Sequence, residues 1–274
     1  MRLTLFNDNR LAILNGAQLQ DVTAWAITNC PGRIADPFIS FIYARAQRNG
    51  EPQGEWLSTS AVRLGPPIRQ PGKIIAAAAN YLRHTQEMNP GQVKPGDIRE
   101  KGFFLKAPSS IIGPNDAILL PFKDRRTDHE AELAVIVGKT GKNIPQDRAL
   151  DYVFGYTCLL DITVRGKEDR GLRKSFDTFT PMGPHITTKD EVPDPNNLKI
   201  SCQINGEERQ NDTTASMVMQ VPELISWIST VMTLHPGDVI ATGTPAGVGP
   251  LQPGDRIEVA IERLGAFSVD VRAS

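Results

Sequence analysis

HEAELAVIVGKTGKNIPQDRALDYVFGYTCLLD, residues 129–161, sets two acids inside one apolar run and a third at the end of the next. Side chains alternate along a strand, so Glu130 and Glu132 point to one face, roughly 7 Å apart along the backbone. Ala134 and Ile136 continue that face, while Leu133, Val135 and Val137 occupy the other. A strand apolar on both faces is usually covered on both faces. Two acids in such a place repel, and burying either one uncompensated costs several kcal/mol. Something positive must sit there. The second run, 152–160, ends in Asp161. Three carboxylates on buried strands make an all-oxygen set suited to a hard divalent cation, Mg²⁺ or Mn²⁺ before Zn²⁺. The competing reading puts Glu130 and Glu132 on the solvent face of an edge strand, or pairs them with Arg125, Arg126 and Lys139. Ala134 and Ile136 favour the buried arrangement.

The chain is long enough, at 274 residues, for one large domain or for a small one plus a large one. Thirty basic against thirty-one acidic residues leave no basic stripe, so nucleic acid is not an expected partner. No apolar run approaches the roughly 20 residues of a membrane span. The opening MRLTLFNDNR reads as a first strand rather than a signal peptide, and a cytoplasmic protein is expected. Three scattered cysteines without a C-x-x-C fit a reducing compartment and argue against a disulfide framework or a zinc-thiolate site.

Residues 1–70 read as a small N-terminal domain and 71–274 as the larger, catalytic one. The first contains strand candidates 2–6 and 10–14 and a helix over 37–47 with Asp36 as N-cap, Pro37 at its first position and apolar Phe38, Ile39, Ile42 and Ala46. The Gly/Pro-rich stretch 64–72 has the composition of a linker. Beyond it, 73–79 reads as a strand and 80–88 as the start of a helix. Asn205-Gly206 suits the type I′ turn of a hairpin. Leu224, Ile225, Ile228, Val231 and Met232 mark one stripe of a helix over 222–232, and Ile257, Val259 and Ile261 alternate cleanly. The fold class expected is mixed, β-rich α+β.

Other residues carry chemistry. His84 and Glu87 stand at i and i+3, and a carboxylate one turn away orients an imidazole and raises its basicity. Alone, the pair also reads as one exposed helix face. Lys174, leading KSFDTFTP, suits a substrate carboxylate or a developing oxyanion, and Lys106 in FFLK reads the same way. In isolation either is an ordinary surface lysine. The loop TGTPAGVG, 242–249, lacks the phosphate-loop pattern, and no G-x-G-x-x-G opens a helix, so nucleotide binding is unsupported. Its threonine hydroxyl and free amides suit a carboxylate. The chain has no G-x-S-x-G elbow of a serine hydrolase.

Taken in order, Asn80-Tyr81-x-x-His84-x-x-Glu87, Phe104-Leu105-Lys106, His129-Glu130-Ala131-Glu132-Leu133, Gly155-Tyr156 through Asp161, Lys174-Ser175-Phe176-Asp177, Asn205-Gly206-Glu207 and the run from Pro236 to Gly249 resemble the fumarylacetoacetate hydrolase superfamily across about residues 71–271. The resemblance implies a C-terminal mixed β-roll, usually a homodimer, with one divalent ion on Glu130, Glu132 and Asp161. Mg²⁺ or Mn²⁺ is the ion expected, with Ca²⁺ an occupant in crystals. It implies a 2-oxo acid substrate held through that metal, then C–C cleavage, isomerisation, decarboxylation or dehydration. His84 and Glu87 resemble the water-activating pair on a mobile lid, Lys174 the oxyanion- or enolate-stabilising lysine, and Gly243-Thr244 the substrate-carboxylate contact. Tyr81 and Lys106 join the substrate-binding set. Three departures bear on the substrate. Asn80 replaces a fourth acid found in relatives of the larger eukaryotic hydrolase. Val164-Arg165-Gly166 stands where Ala-Arg-Asp is frequent, and a glycine before Asn-Tyr is missing. The expectation is a metal-dependent hydrolase of an acylpyruvate-like 2,4-dioxo acid, working in catabolism. An isomerase, decarboxylase or dehydratase is the nearest alternative. A non-catalytic, metal-stabilised binding protein is the third, and His84, Glu87 and Lys174 argue against it.

Overall fold

The apolar runs around the acids form two long antiparallel strands, Ala131–Val137 and Val153–Leu160, with Ala131 opposite Leu160 and Glu132 opposite Leu159. Every residue of the first is buried. Its two faces enter different cores. Leu133, Val135 and Val137 join one, and Ala134 and Ile136 join the other, so neither face meets water. In the computed structural model, which describes residues 1–7, 9–32, 34, 36–47, 50–91 and 96–274, these strands lie inside a sheet that has eleven strands among the described residues.

On one side the sheet continues through Val239–Ala241, parallel to Ile74–Ala77, to the edge strand Phe103–Lys106. On the other it runs through Thr180–Thr188 to the N-terminal meander of Arg2–Phe6, Arg10–Asn15, Gln18–Asp21 and Trp56–Ser58. The pairing of Arg2 with Thr187 and Leu3 with Ile186 makes the meander part of the main sheet. The 64–72 stretch is packed rather than loose: Ile68 is buried in the same core as Leu3, Phe38 and Ile74. The strands at 18–21 and 56–58 go beyond the sequence reading, being short and polar.

Helix Pro37–Ala46 starts as its sequence dictates, with the Asp36 carboxylate accepting from the Ile39 amide at 2.9 Å. Phe38, Phe41, Ile42 and Ala44 face the sheet, and Phe38 meets Phe154 edge-on at 5.4 Å. Ala46 is exposed at the helix end, one turn past the buried stripe. A second sheet, with five strands among the described residues, has the order Glu207–Thr213, Lys199–Ile204, Arg256–Ile261, Gly265–Ala273, Ala117–Leu120. Its hairpin turns at Asn205 and Gly206, both with positive φ (54° and 80°), as a type I′ turn requires. Ile200, Cys202, Ile257, Val259 and Ile261 pack it against the main sheet. Helix Val221–Val231 adds Leu224, Ile225 and Ile228 to that core, while Val231 ends the stripe 59% exposed. The class is mixed α+β, strand-rich. Among the described residues no helix is long and apolar enough to cross a membrane.

Candidate metal centre and its pocket

Glu130 stands just before one long strand, Glu132 within it and Asp161 just past the other. The Asp161 amide donates to the Glu130 carbonyl at 2.8 Å, so the antiparallel register brings the three acids together. All three are buried, and one oxygen of each lies within 4.8 Å of the others. Among the described residues they are the one such group of three potential ligands. The solvent-face alternative is therefore excluded.

The positive partners come from far away in sequence. The Lys174 ammonium donates to Glu130 Oε2 at 2.7 Å and to Asp161 Oδ2 at 2.6 Å. Lys106 donates to Asp161 Oδ1 and, at 2.9 Å, to the Phe179 carbonyl. Arg165 lies 2.8 Å from Glu130 Oε1 and 2.8 Å from Asp128 Oδ2. Arg125 and Arg126 face other acids: Arg125 pairs with Glu168, and Arg126 grips Asp128 bidentately at 2.7 and 2.9 Å.

These contacts split the acids. Burial alone would raise Glu130, but Lys174 and Arg165 outweigh it and hold its carboxyl far below the usual range. Burial, then the charge of Asp161, push Glu132 well above it. Glu132 Oε2 has the Gly243 amide at 2.7 Å but no lysine or arginine in salt-bridge reach among the described residues. Burial weakens the hold of Lys106 on its proton. In Lys174 the opposing pull of Asp161 and Glu130 exceeds that of burial, and the ammonium is retained. A buried, all-oxygen donor set with one acid short of positive charge fits a hard divalent ion.

The acids form the floor of a cavity of about 580 Å³, within the range of small-molecule sites. His84, Phe104, Lys174 and Thr244 share its wall. His84 sits on the short helix Leu82–Met88 with Nδ1 3.4 Å from Glu87 Oε2. Glu87 also accepts from the Gly247 amide at 3.1 and 3.2 Å, which fastens the helix to the glycine-rich loop. Burial would raise its carboxyl, but the His84 and Gly247 hydrogen bonds bring it below the usual range.

Besides Glu87, which backs His84, three sequence candidates stand behind the wall instead of in it. Tyr81 is fully buried, its hydroxyl has no hydrogen-bond partner among the described residues, and burial and Glu132 push its pKa up. Lys106 lies beneath Asp161. The Gly243 amide is occupied by Glu132, and a Cβ at Gly243 (φ +95°) would come 2.8 Å from the Asn80 Cβ.

Asn80 and Gln210 hold the loop in place. Asn80 donates to the carbonyls of Met219 (3.0 Å) and Thr242 (2.8 Å) and accepts from the Met219 amide at 2.8 Å. Gln210 donates to Thr244 Oγ1 and the Pro245 carbonyl, each at 2.8 Å, and accepts from the Ala131 amide at 3.0 Å. Sequence reasoning missed Gln210 and the cavity-wall arginines Arg170 and Arg173, and it named Arg126 and Arg165 without placing them in the wall. The run EDRGLRK, so charged, reads as a solvated face until its fold is known.

Residues 73–272 match the family model described as fumarylacetoacetate (FAA) hydrolase C-terminal. The chain is 41% identical over 290 aligned residues to the maleylpyruvate hydrolase of Aquipseudomonas alcaligenes, with both chains covered in full. It is 42% identical over 220 residues to a mitochondrial oxaloacetate tautomerase of Rattus norvegicus, covering 76% of this chain and 69% of that one. The crystal structure of maleylpyruvate hydrolase from Sphingobium sp. SYK-6 in complex with manganese(II) ion and pyruvate matches with a TM-score of 0.86 at 40% identity, and both chains are covered in full.

Proposed function

The chain belongs to the fumarylacetoacetate hydrolase family, and from that membership we infer a divalent-metal-dependent hydrolase that cleaves a C–C bond in an acylpyruvate-like 2,4-dioxo acid. The observation that carries this reading is one cavity holding three buried carboxylates, a charged lysine and a histidine oriented by an acid.

Glu130, Glu132 and Asp161 would hold the ion, with Mg²⁺ as the cellular occupant and Mn²⁺ as a competent substitute. When bound it supplies Lewis-acid charge at the 2-oxo-carboxylate end of the substrate. His84, held by Glu87, takes a proton from water, and the resulting hydroxide adds to the 4-carbonyl carbon. The bond between C3 and C4 then breaks, releasing a carboxylic acid and leaving the electron pair on the pyruvate enolate, which is protonated at C3. Lys174 keeps its charge at the cavity floor, where the oxyanion and then the enolate develop. Thr244 lines the wall, and its hydroxyl, donating to the Ala131 carbonyl at 2.8 Å, ties the glycine-rich loop to the strand that carries Glu132. Tyr81, Lys106 and Gly243 support from behind: Lys106 fixes Asp161, and Gly243 fixes Glu132.

A homodimer in the cytoplasm, acting in catabolism, completes the reading. Leu105 on the edge strand (48% exposed) and Leu172 on the adjoining helix (60% exposed) offer an apolar surface for a second copy. Light scattering at micromolar concentration should give twice the chain mass; a monomer would contradict it. Isomerisation or decarboxylation of a 2-oxo acid is the second reading, favoured by the tautomerase relative. The deciding experiment follows an acylpyruvate and oxaloacetate side by side, with chelator and then with Mg²⁺ or Mn²⁺ restored. Metal-dependent pyruvate release from the acylpyruvate is the expected result. Full turnover in excess chelator would overturn it.

A further inference from the structure

One strand of the second sheet breaks its register beside the glycine-rich loop. In the hairpin 199–213, Cys202 pairs with Gln210 and Gln203 with Glu208, so Arg209 has no partner across the ladder. A bulge of this kind re-aims the side chains around it. Here it lets two consecutive residues meet one loop. Gln210 is the single buried residue among the first five of its strand. Arg209 brings its backbone carbonyl against Gly247, where a Cβ would come within 1.9 Å of the oxygen.

A primary amide offers two donors and two acceptor sites, and Gln210 uses all of them. Nε2 donates to Thr244 Oγ1 and to the Pro245 carbonyl, each at 2.8 Å. Oε1 accepts from the Ala131 amide at 3.0 Å, and His129 Nδ1 lies 3.3 Å from it. One side of the amide therefore grips the strand that carries Glu132, and the other grips the loop. Two residues past Pro245, the Gly247 amide donates to Glu87 at 3.1 and 3.2 Å, and Glu87 Oε2 meets His84 Nδ1 at 3.4 Å. The ring of Pro245 fixes its own φ, which leaves little slack along that path. Resting on the hydrolase reading above, we propose that Gln210 is a positioning residue for water activation. It sets the loop against the metal-ligand strand, so that Gly247 holds Glu87, and Glu87 holds His84, in register with the three acids.

Gln210→Met keeps the volume and removes these hydrogen bonds. A reacting group misplaced by about 1 Å loses up to about 10²-fold, so kcat for an acylpyruvate should fall by about 10–100-fold. KM and the calorimetric Kd for Mn²⁺ should stay within about 3-fold of wild type. Gly247→Ala pushes the same loop off the Arg209 carbonyl without touching Gln210, and should lower kcat in the same way. In a Glu87→Ala background the link is already cut, and each change should alter kcat by less than about 3-fold. A side chain that only stabilised the fold would lower kcat by the same factor in both backgrounds. Hydrogen exchange gives a readout without turnover: Gln210→Met should quicken exchange over 82–88 and 243–249 and leave 153–160 unchanged. An undiminished kcat, equal losses in the two backgrounds, or unaltered exchange over 82–88 overturns the proposal. Should Gln210→Met fail to fold, Gly247→Ala decides the same comparisons. If wild type cleaves no acylpyruvate, the hydrolase reading fails, and exchange over 82–88 still decides whether Gln210 places the helix that bears His84 and Glu87.

Discussion

By the family resemblance Asn80 stands where relatives of the larger eukaryotic hydrolase carry an acid, and its surroundings say what an acid would do here. The side chain is 1% exposed and makes three hydrogen bonds, donating twice to backbone carbonyls and accepting once from a backbone amide. Asn80→Ala strands those three backbone groups. At about 1 kcal/mol for each lost bond, the expected cost is about 3 kcal/mol, or a melting point lower by about 6–10 °C for a chain of this size. Asn80→Asp changes almost no volume, but it turns two donors into a charged acceptor facing two carbonyl oxygens. A buried, unpaired carboxylate should cost about 3–5 kcal/mol at pH 7.5. The sign with pH is opposite to that of a salt-bridged acid. The new carboxyl has a folded-state pKa raised above its unfolded value. Its deficit is therefore fully present above the folded pKa and shrinks as pH falls from there towards the unfolded value, because the neutral acid regains one donor. Urea unfolding of wild type, Asn80→Ala and Asn80→Asp at pH 7.5 and 5, with chelator throughout, measures each figure. An Asn80→Asp variant within about 1 kcal/mol of wild type at pH 7.5 would refute the hydrogen-bond directions on which this rests.

His84→Ala should keep Mn²⁺ binding and lose about 10²–10⁴-fold in kcat, with Glu87→Gln milder; wild-type turnover in His84→Ala would return the pair to a shared helix face. Glu132→Ala and Asp161→Ala should each abolish Mn²⁺ binding by calorimetry, since three oxygen ligands leave little redundancy. Burial pushes the His185 imidazole down to about 4. Its contribution to stability is present above the unfolded value near 6.5 and is lost as pH falls from there to about 4, to a total of about 3 kcal/mol. His185→Gln should flatten the stability curve across that window, and an unchanged slope would disprove the assignment. Burial pushes the thiols of Cys158 and Cys202 up to about 12, so a thiol reagent should leave both intact in the native protein and reach them after unfolding.

The acid cluster was legible because its residues break a rule the neighbouring sequence obeys: Glu132 interrupts a run in which every other side chain is apolar. Hairpin 199–213 was legible for a similar reason, since Asn205-Gly206 is a local signal. What escaped was what only tertiary structure supplies. Lys174 meets Glu130 from 44 positions away, and Lys106 meets Asp161 from 55. The family resemblance picks out both lysines, but nothing in FFLK or RKSFD tells which acids they meet. Tyr81 and Gly243 fall next to pocket residues in sequence, but their polar groups turn into the protein. The docking of the first strand onto Thr180–Thr188 has no local signature either, because both partners read as ordinary apolar strands.

That docking sets an order of events during synthesis. Arg2 pairs with Thr187, and a ribosome adding roughly 5–20 residues per second takes about 10–40 s to travel from one to the other. Until then the Leu3–Leu5 edge has no sheet to join. Its own hairpin partner, Arg10–Asn15, covers only one side. Over that interval the nascent chain presents an unpaired apolar strand edge, the kind of segment that chaperones hold and that aggregates without them. A co-expressed chaperone should therefore raise the soluble fraction of this protein.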